Sequence, residues 1–225
     1  ILIEDNAHGF MSRDVDGEWL GARAPYGMFS LRKTIRMPDG AAMLINRVDE
    51  KGCGLKQLPF TGVGMNSAEK YKSKIREIPL IGRCLLRNIT NIARQFRRLH
   101  SGSLIPTSDS RAELEFPVGP NPWLGLLKKL DSLDSESEIK RRRQTYAHCL
   151  AFAIDQIDVT PIFGELPDGC VPYGFPFRCN LSGRNSMQRL SDALGMDLIT
   201  WPDLPSEITE HVPIYYKDVL MINFL

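Results

Sequence analysis

Tyr26-Gly-Met-Phe-Ser-Leu-Arg-Lys-Thr34, Met37-Pro-Asp-Gly40 and Ala41-Ala-Met-Leu-Ile-Asn46 form the stretch whose reading decides the fold. Residues 26–31 read as an apolar strand that stops at a basic turn, Arg32-Lys33. Pro38-Asp39-Gly40 is a strong turn signal, and 41–46 is a second apolar strand. Upstream, Ile1-Leu-Ile-Glu-Asp5 reads as a buried strand ending in acids. In α/β sheets ligands gather at the carboxyl ends of strands, so Glu4 and Asp5 are well placed for chemistry. A Gly-rich polar stretch joins this strand to Tyr26.

Downstream the pattern becomes helical. Ile81, Leu85, Leu86, Ile89, Ile92, Ala93, Phe96 and Leu99 recur at helical spacing within a helix expected over 66–100. Arg83, Arg87, Arg94, Arg97 and Arg98 share that segment. Such a basic helix either docks an anionic surface or presents a solvated cationic face, the commoner case. Residues 101–122 are proline-rich loop. A short helix is expected over 124–133 and a long one over 135–154, with Asp134, Glu136 and Glu138 at its start, where acids suit the helix dipole. Strands are expected at 159–163, 174–179, 197–201 and 219–225, with a helix over 185–194 stopped by Gly195.

The chain has 225 residues and a formal net charge of +1, enough for one large or two small cores and no whole-chain attraction to nucleic acid. Its five cysteines, Cys53, Cys84, Cys149, Cys170 and Cys179, are odd in number and form no C-x-x-C pair. That argues against a disulfide framework or a zinc site and suits buried thiols in a reducing, cytoplasmic setting. No apolar run is long enough to cross a bilayer. The chain opens on a strand already under way, without an initiator Met, and closes on another. A fragment of a longer protein is therefore the expectation.

Ile3-Glu-Asp-Asn-Ala-His-Gly-Phe10 resembles the E-D-x-A-H/Q strand end of the DegT/DnrJ/EryC1/StrS family. These are pyridoxal-phosphate-dependent aminotransferases, many acting on nucleotide-linked keto sugars. Gly27-Met-Phe-Ser-Leu-Arg-Lys-Thr34 is similar to the Schiff-base segment of fold-type-I enzymes, and Asp39 to Asn46 to the turn and strand that follow it. Glu138-Ile-Lys-Arg-Arg-Arg-Gln-Thr-Tyr146 resembles the R-R-x-x-x-Y helix linking large and small domains. Pro172-Tyr-Gly-Phe-Pro-Phe-Arg178, Arg184 and Trp201-Pro-Asp-Leu-Pro205 resemble small-domain segments. The likeness covers most of the chain and is weakest over 55–110. Two departures stand out. Ser30-Leu-Arg-Lys33 is shorter than the usual serine-to-lysine spacing of sugar aminotransferases and closer to the aspartate-aminotransferase branch. The paired glycines after the lysine are here Gly40-Ala41.

The resemblance implies an α/β fold: the C-terminal part of a fold-type-I large domain with a mostly parallel sheet over 1–135, then a small α+β domain over 136–225. It implies pyridoxal phosphate as cofactor, Lys33 as the Schiff-base residue, and Asp5 as partner of the pyridine nitrogen. His8 becomes a phenolic-oxygen or ring contact and Ser30 a phosphate contact. It implies transfer of an amino group from an amino acid to a keto acceptor and, for the full-length parent, a homodimer. The family's phosphate loop and ring-stacking aromatic belong to its earlier part, and no counterpart stands before Ile1.

A cofactor lysine needs a carboxylate to keep the ring an electron sink and donors to hold the phosphate. Two other readings stay open: a sugar dehydratase or other lyase on the same cofactor, in which histidine often replaces the lysine, and a non-catalytic binding module using the basic helix. Arg178 and Arg184 are candidates for a substrate carboxylate, since a guanidinium fork matches one, against surface or interface pairing. Arg32 and Arg36 are set to meet phosphate or to pair with Asp39 or Glu4. His148 and Cys149 are neighbours on a helix and point apart, which suits packing rather than nucleophilic catalysis. Phe175, Phe177 and Trp201 read as small-domain core.

Overall fold

A computed structural model describes residues 1–46, 59–62, 121–201, 213, 216 and 218–225, together with isolated helical positions between 71 and 96. Apart from those positions, the expected basic helix, its five arginines and the loop 101–120 lie outside the described residues.

The first sheet contains β1 (Ile3–Asp5), β2 (Tyr26–Ser30) and β3 (Ala41–Ile45), in that order. β1 and β2 are parallel, with Ile3 opposite Tyr26 and Asp5 opposite Met28. β2 and β3 are antiparallel, with Ser30 opposite Ala41 and Tyr26 opposite Ile45. The described sheet is thus mixed rather than mostly parallel. Only residues 31–40 separate β2 from β3, too few for the crossover that a parallel pair needs, whereas residues 6–25 can return the chain from β1 to β2.

That return loop is pinned by close backbone approach. Gly21 has φ +88°, and a Cβ there would stand 2.3 Å from the Phe29 ring. A Cβ on Gly27 would meet the Gly21 carbonyl at 2.3 Å, so both positions require glycine. Asn46 Nδ2 donates to the Gly21 and Ala24 carbonyls at 2.8 and 2.6 Å and fixes the loop against β3.

After β2 a single 3-10 turn, Leu31–Lys33, buries Leu31. Leu31, Ile35 and Met37 form a small core with Leu126 of α1 (Leu126–Asp131), joined by Phe10, Phe29, Ala42 and Trp123.

The second unit is built on α2 (Ser135–Ile154) and a four-stranded sheet. Asp134 caps α2, accepting from the Ser137 amide at 3.1 Å and the Ser137 hydroxyl at 2.7 Å. Arg142, Tyr146, Cys149 and Ala153 form its buried stripe at helical spacing. The sheet comprises β4 (Val159–Pro161), β5 (Gly174–Cys179), β6 (Asp197–Thr200) and β7 (Val219–Asn223). Its order is β4-β5-β7-β6, antiparallel throughout. Phe175 and Phe177 point from β5 into a core with Tyr146, Cys149, Met187, Leu198 and Ile222. α3 (Leu181–Leu194) begins four residues before the expected Asn185, because the Asn180 side chain accepts from the Gly183 amide and supplies a start signal upstream. Gly195 ends it at φ +68°, with the Met196 amide returning to the Ser191 carbonyl.

Candidate active site

The site forms where the ends of β1 and β2 meet the segment before β5. Beyond Asp5 the chain turns at once. The Ala7 amide donates to Asp5 Oδ1 at 3.0 Å, the Asn6 amide to the Met28 carbonyl at 2.9 Å, and the Gly9 amide to the Asn6 carbonyl at 2.9 Å. This side-chain-closed turn leaves the exposed Asp5 at the strand tip and carries His8 inward. Asp5, Met28 and Ser30 share one sheet face, because paired residues and residues two apart along a strand do so. Lys33 follows in the 3-10 turn, partly buried, with no hydrogen bond or ion pair among the described residues.

His8 is the meeting point. Its ring lies edge-on to Tyr173 at 4.7 Å and to Trp201 at 5.0 Å, and those two rings are 5.6 Å apart. Burial pushes the imidazole below its ordinary pKa of 6.5, the Lys33 charge pushes it further, and Asp5 pulls it back up. An amine, a carboxylate and an imidazole, drawn from a strand end and two loops, therefore share one electrostatic environment. Three buried polar atoms lack partners among the described residues: Asn6 Nδ2, His8 Nε2 and Thr34 Oγ1. All three belong to the two segments that carry Asp5 and Lys33. Buried polar atoms left open cost stability, and their concentration here marks a place that a polar ligand would complete.

Glu4, adjacent to Asp5, has a different job. Burial opposes its ionisation, but hydrogen bonds from the Arg23 side chain and backbone outweigh that. The Gly21 amide and the nearby Asn6 side chain also favour the carboxylate, although Asn6 Nδ2 does not reach hydrogen-bonding geometry. Its carboxyl is held at about 2. Arg23 also approaches Asp14 at 3.9 Å. Glu4 thus anchors the return loop through Arg23. Asp39 likewise accepts from the Trp123 amide at 3.2 Å.

Arg178 and Arg184 stand apart from this group. Arg178 lies five residues along β5 from Tyr173, roughly 16 Å at strand rise. Arg184 is on the first turn of α3, where its charge acts on the Cys179 thiol. His148 is exposed while Cys149 is fully buried, with its thiol pushed up to about 12 by burial. Phe175 and Phe177 are core as expected, but Trp201 is not: β6 ends at Thr200, and the next side chain packs on His8 instead. Tyr173 and Trp201 are therefore site residues that pattern reading assigned elsewhere or left without a role. Their signal was composition, aromatic residues just outside strands. Among the described residues no group of three His, Cys, Asp or Glu side chains could hold a metal, and no helix is long and apolar enough to cross a membrane.

No protein-family model and no curated protein matches the chain. Among solved structures, the chain resembles the Helicobacter pylori aminotransferase PseC, involved in the biosynthesis of pseudoaminic acid. The TM-score is 0.44 at 14% identity, over 98% of this chain and 53% of that one. A putative sugar aminotransferase from Streptococcus pneumoniae, Spr1654 in its PLP form, aligns with a TM-score of 0.45 at 14% identity, over 99% of this chain and 52% of that one. The chain spans about half the length of each.

Proposed function

We propose that the chain is the lysine-bearing part of a pyridoxal-phosphate-dependent aminotransferase that passes an amino group from an amino acid to a keto acceptor. The observation carrying this reading is that the paired strands β1 and β2 end side by side, with Asp5 on one tip and Lys33 in the turn after the other, among three buried polar atoms without partners in the described residues. The three unpartnered polar atoms beside them fit a ligand rich in hydrogen-bonding groups.

When bound, pyridoxal phosphate supplies an electron sink for the carbon whose amino group is exchanged. Lys33 Nζ would hold the cofactor covalently and, once released, carry a proton to or from that carbon. The Asp5 carboxylate, kept at the strand tip by the Ala7 amide, would keep the ring nitrogen protonated. His8 Nε2 would contact the ring or its oxygen, and Ser30 Oγ the phosphate. Tyr173 and Trp201 limit water at His8. On this reading 1–135 carries the cofactor side and 136–225 closes over it.

The test is to add pyridoxal phosphate to the chain and to its full-length parent and to treat with borohydride. The expected result is a cofactor absorbance band that borohydride abolishes, with the label on Lys33 by peptide mass analysis. A label elsewhere, or no band in the parent, overturns the reading. A half reaction that depends on an amino donor separates transamination from dehydration or other lyase chemistry.

A further inference from the structure

Three consecutive arginines on α2 reach different backbone carbonyls, and two of them share Glu138. Arg141 shares Glu138 and donates to the Phe224 carbonyl at 3.0 Å. Arg143 donates to the Pro167 and Cys170 carbonyls at 3.0 and 2.7 Å. Arg142, 1% exposed, sends Nε to Glu138 Oε1 at 2.7 Å, Nη1 to the Pro172 carbonyl at 3.1 Å and Nη2 to the Thr34 carbonyl. Thr34 follows Lys33, and Pro172 precedes Tyr173, whose ring lies on His8. Among the described residues, only Arg142 of the three reaches the Lys33 turn.

We propose that Arg142 is a positioning residue for this site: its guanidinium holds the Lys33 turn and the Tyr173 segment at a fixed separation, so that Lys33 and His8 face a common space. A planar guanidinium presents its donors in fixed directions, so two carbonyls bound to Nη1 and Nη2 are fixed in both distance and angle. An ammonium on a flexible stem has rotatable donors and does not fix the angle between two carbonyls. Glu138 aims the fork through Nε and balances its charge, which lets a cation sit where burial disfavours it. Displacements of about 1 Å at such distances change reactivity by as much as about 100-fold, so this clamp bears directly on the amine. The consequence for cofactor uptake rests on the proposed function, whereas the clamp is a property of the chain alone.

The experiment compares R142K, R141Q and the unsubstituted chain. One readout is the titration of the His8 imidazole by NMR without cofactor. The charges acting on that ring are those of Lys33 and Asp5, and the rings packed on it are Tyr173 and Trp201. The other is the pyridoxal phosphate concentration giving half-maximal borohydride-trapped label on Lys33. R142K is expected to raise the His8 midpoint towards the ordinary histidine value and to raise half-saturation by about tenfold or more. R141Q, which loses the Phe224 contact and the ion pair with Glu138 but keeps the Arg142 bonds to Glu138, Thr34 and Pro172, is expected to change neither. Unchanged readouts in R142K, or equal changes in R141Q, overturn the proposal. Should R142K not fold, E138Q, which keeps the guanidinium and both carbonyls but loses the carboxylate that aims them, is expected to move His8 in the same direction by less. No movement of His8 in E138Q overturns the clamp. If the unsubstituted chain takes no label on Lys33, the functional reading falls while the His8 titration still decides the clamp.

Discussion

The Arg142 guanidinium donates to the carbonyl of Thr34, 108 residues away in sequence and next to Lys33. The same side chain binds the Pro172 carbonyl, so a single buried cation joins the long helix, the lysine turn and the segment leading into β5. Arg142→Ala would leave the Thr34 and Pro172 carbonyls without their donor, while Glu138 keeps Arg141 as its partner. With each buried acceptor left open costing about 1–3 kcal/mol, the expected loss is about 2–6 kcal/mol, read by denaturant unfolding. That is a large share of the roughly 5–15 kcal/mol typical of domains, which is why R142K is the usable probe of function.

Asp5→Asn should separate folding from chemistry. An amide oxygen can still accept from the Ala7 amide, so the turn is expected to persist and unfolding to change little. The charge that would hold a ring nitrogen protonated is lost. Transamination by the full-length parent is expected to fall by about 100- to 1,000-fold while the borohydride label on Lys33 is retained. Full activity in the Asn variant would remove Asp5 from its role.

Glu4 sets an acid limb. Its folded pKa is about 2 against an ordinary 4.5, so the folded state favours the ionised form. A depressed carboxyl contributes stability that is complete above the unfolded pKa and is lost as pH falls through the folded one. Stability from the Glu4–Arg23 pair should therefore decline between about pH 4.5 and about pH 2. Glu4→Gln should flatten the unfolding curve over that window and leave its upper end lower; an unchanged slope would contradict the assignment.

Phe175 is fully buried between Tyr146 and Phe177, at ring distances of 5.1 and 6.0 Å. Phe175→Ala is expected to cost about 3–5 kcal/mol, since the surrounding helix and sheet cannot collapse into the space. Thermal unfolding followed by circular dichroism checks this. Leu181→Ala, at a side chain 75% exposed, is the control and should change stability little.

Local signals carried far where the physics is local. The span of α2 follows from Asp134 and the spacing of Tyr146, Cys149 and Ala153. β5 follows from the apolar run 174–179 bounded by Gly174 and Asn180. The side-chain cap at Asn180 was legible in principle, but Gly183 inside the first turn masked it by lowering helix propensity. The mixed direction of the first sheet was likewise present in the ten-residue spacing of β2 and β3, although the family likeness pointed to parallel strands.

By itself the sequence determined the elements, the strand tip at Asp5 and the turn at Lys33, because capping, strand alternation and turn chemistry act over a few residues. Tertiary structure alone decided which distant groups surround them. It brought Tyr173 and Trp201 to His8, turned Arg142 from a helix residue into a clamp on Thr34, and kept Arg178 at the far end of β5 and Arg184 on α3 beyond it. The reason is physical. A buried cation or an open imidazole nitrogen is fixed by whatever carbonyls, rings and charges the packed chain places beside it, and those lie tens to more than a hundred residues away.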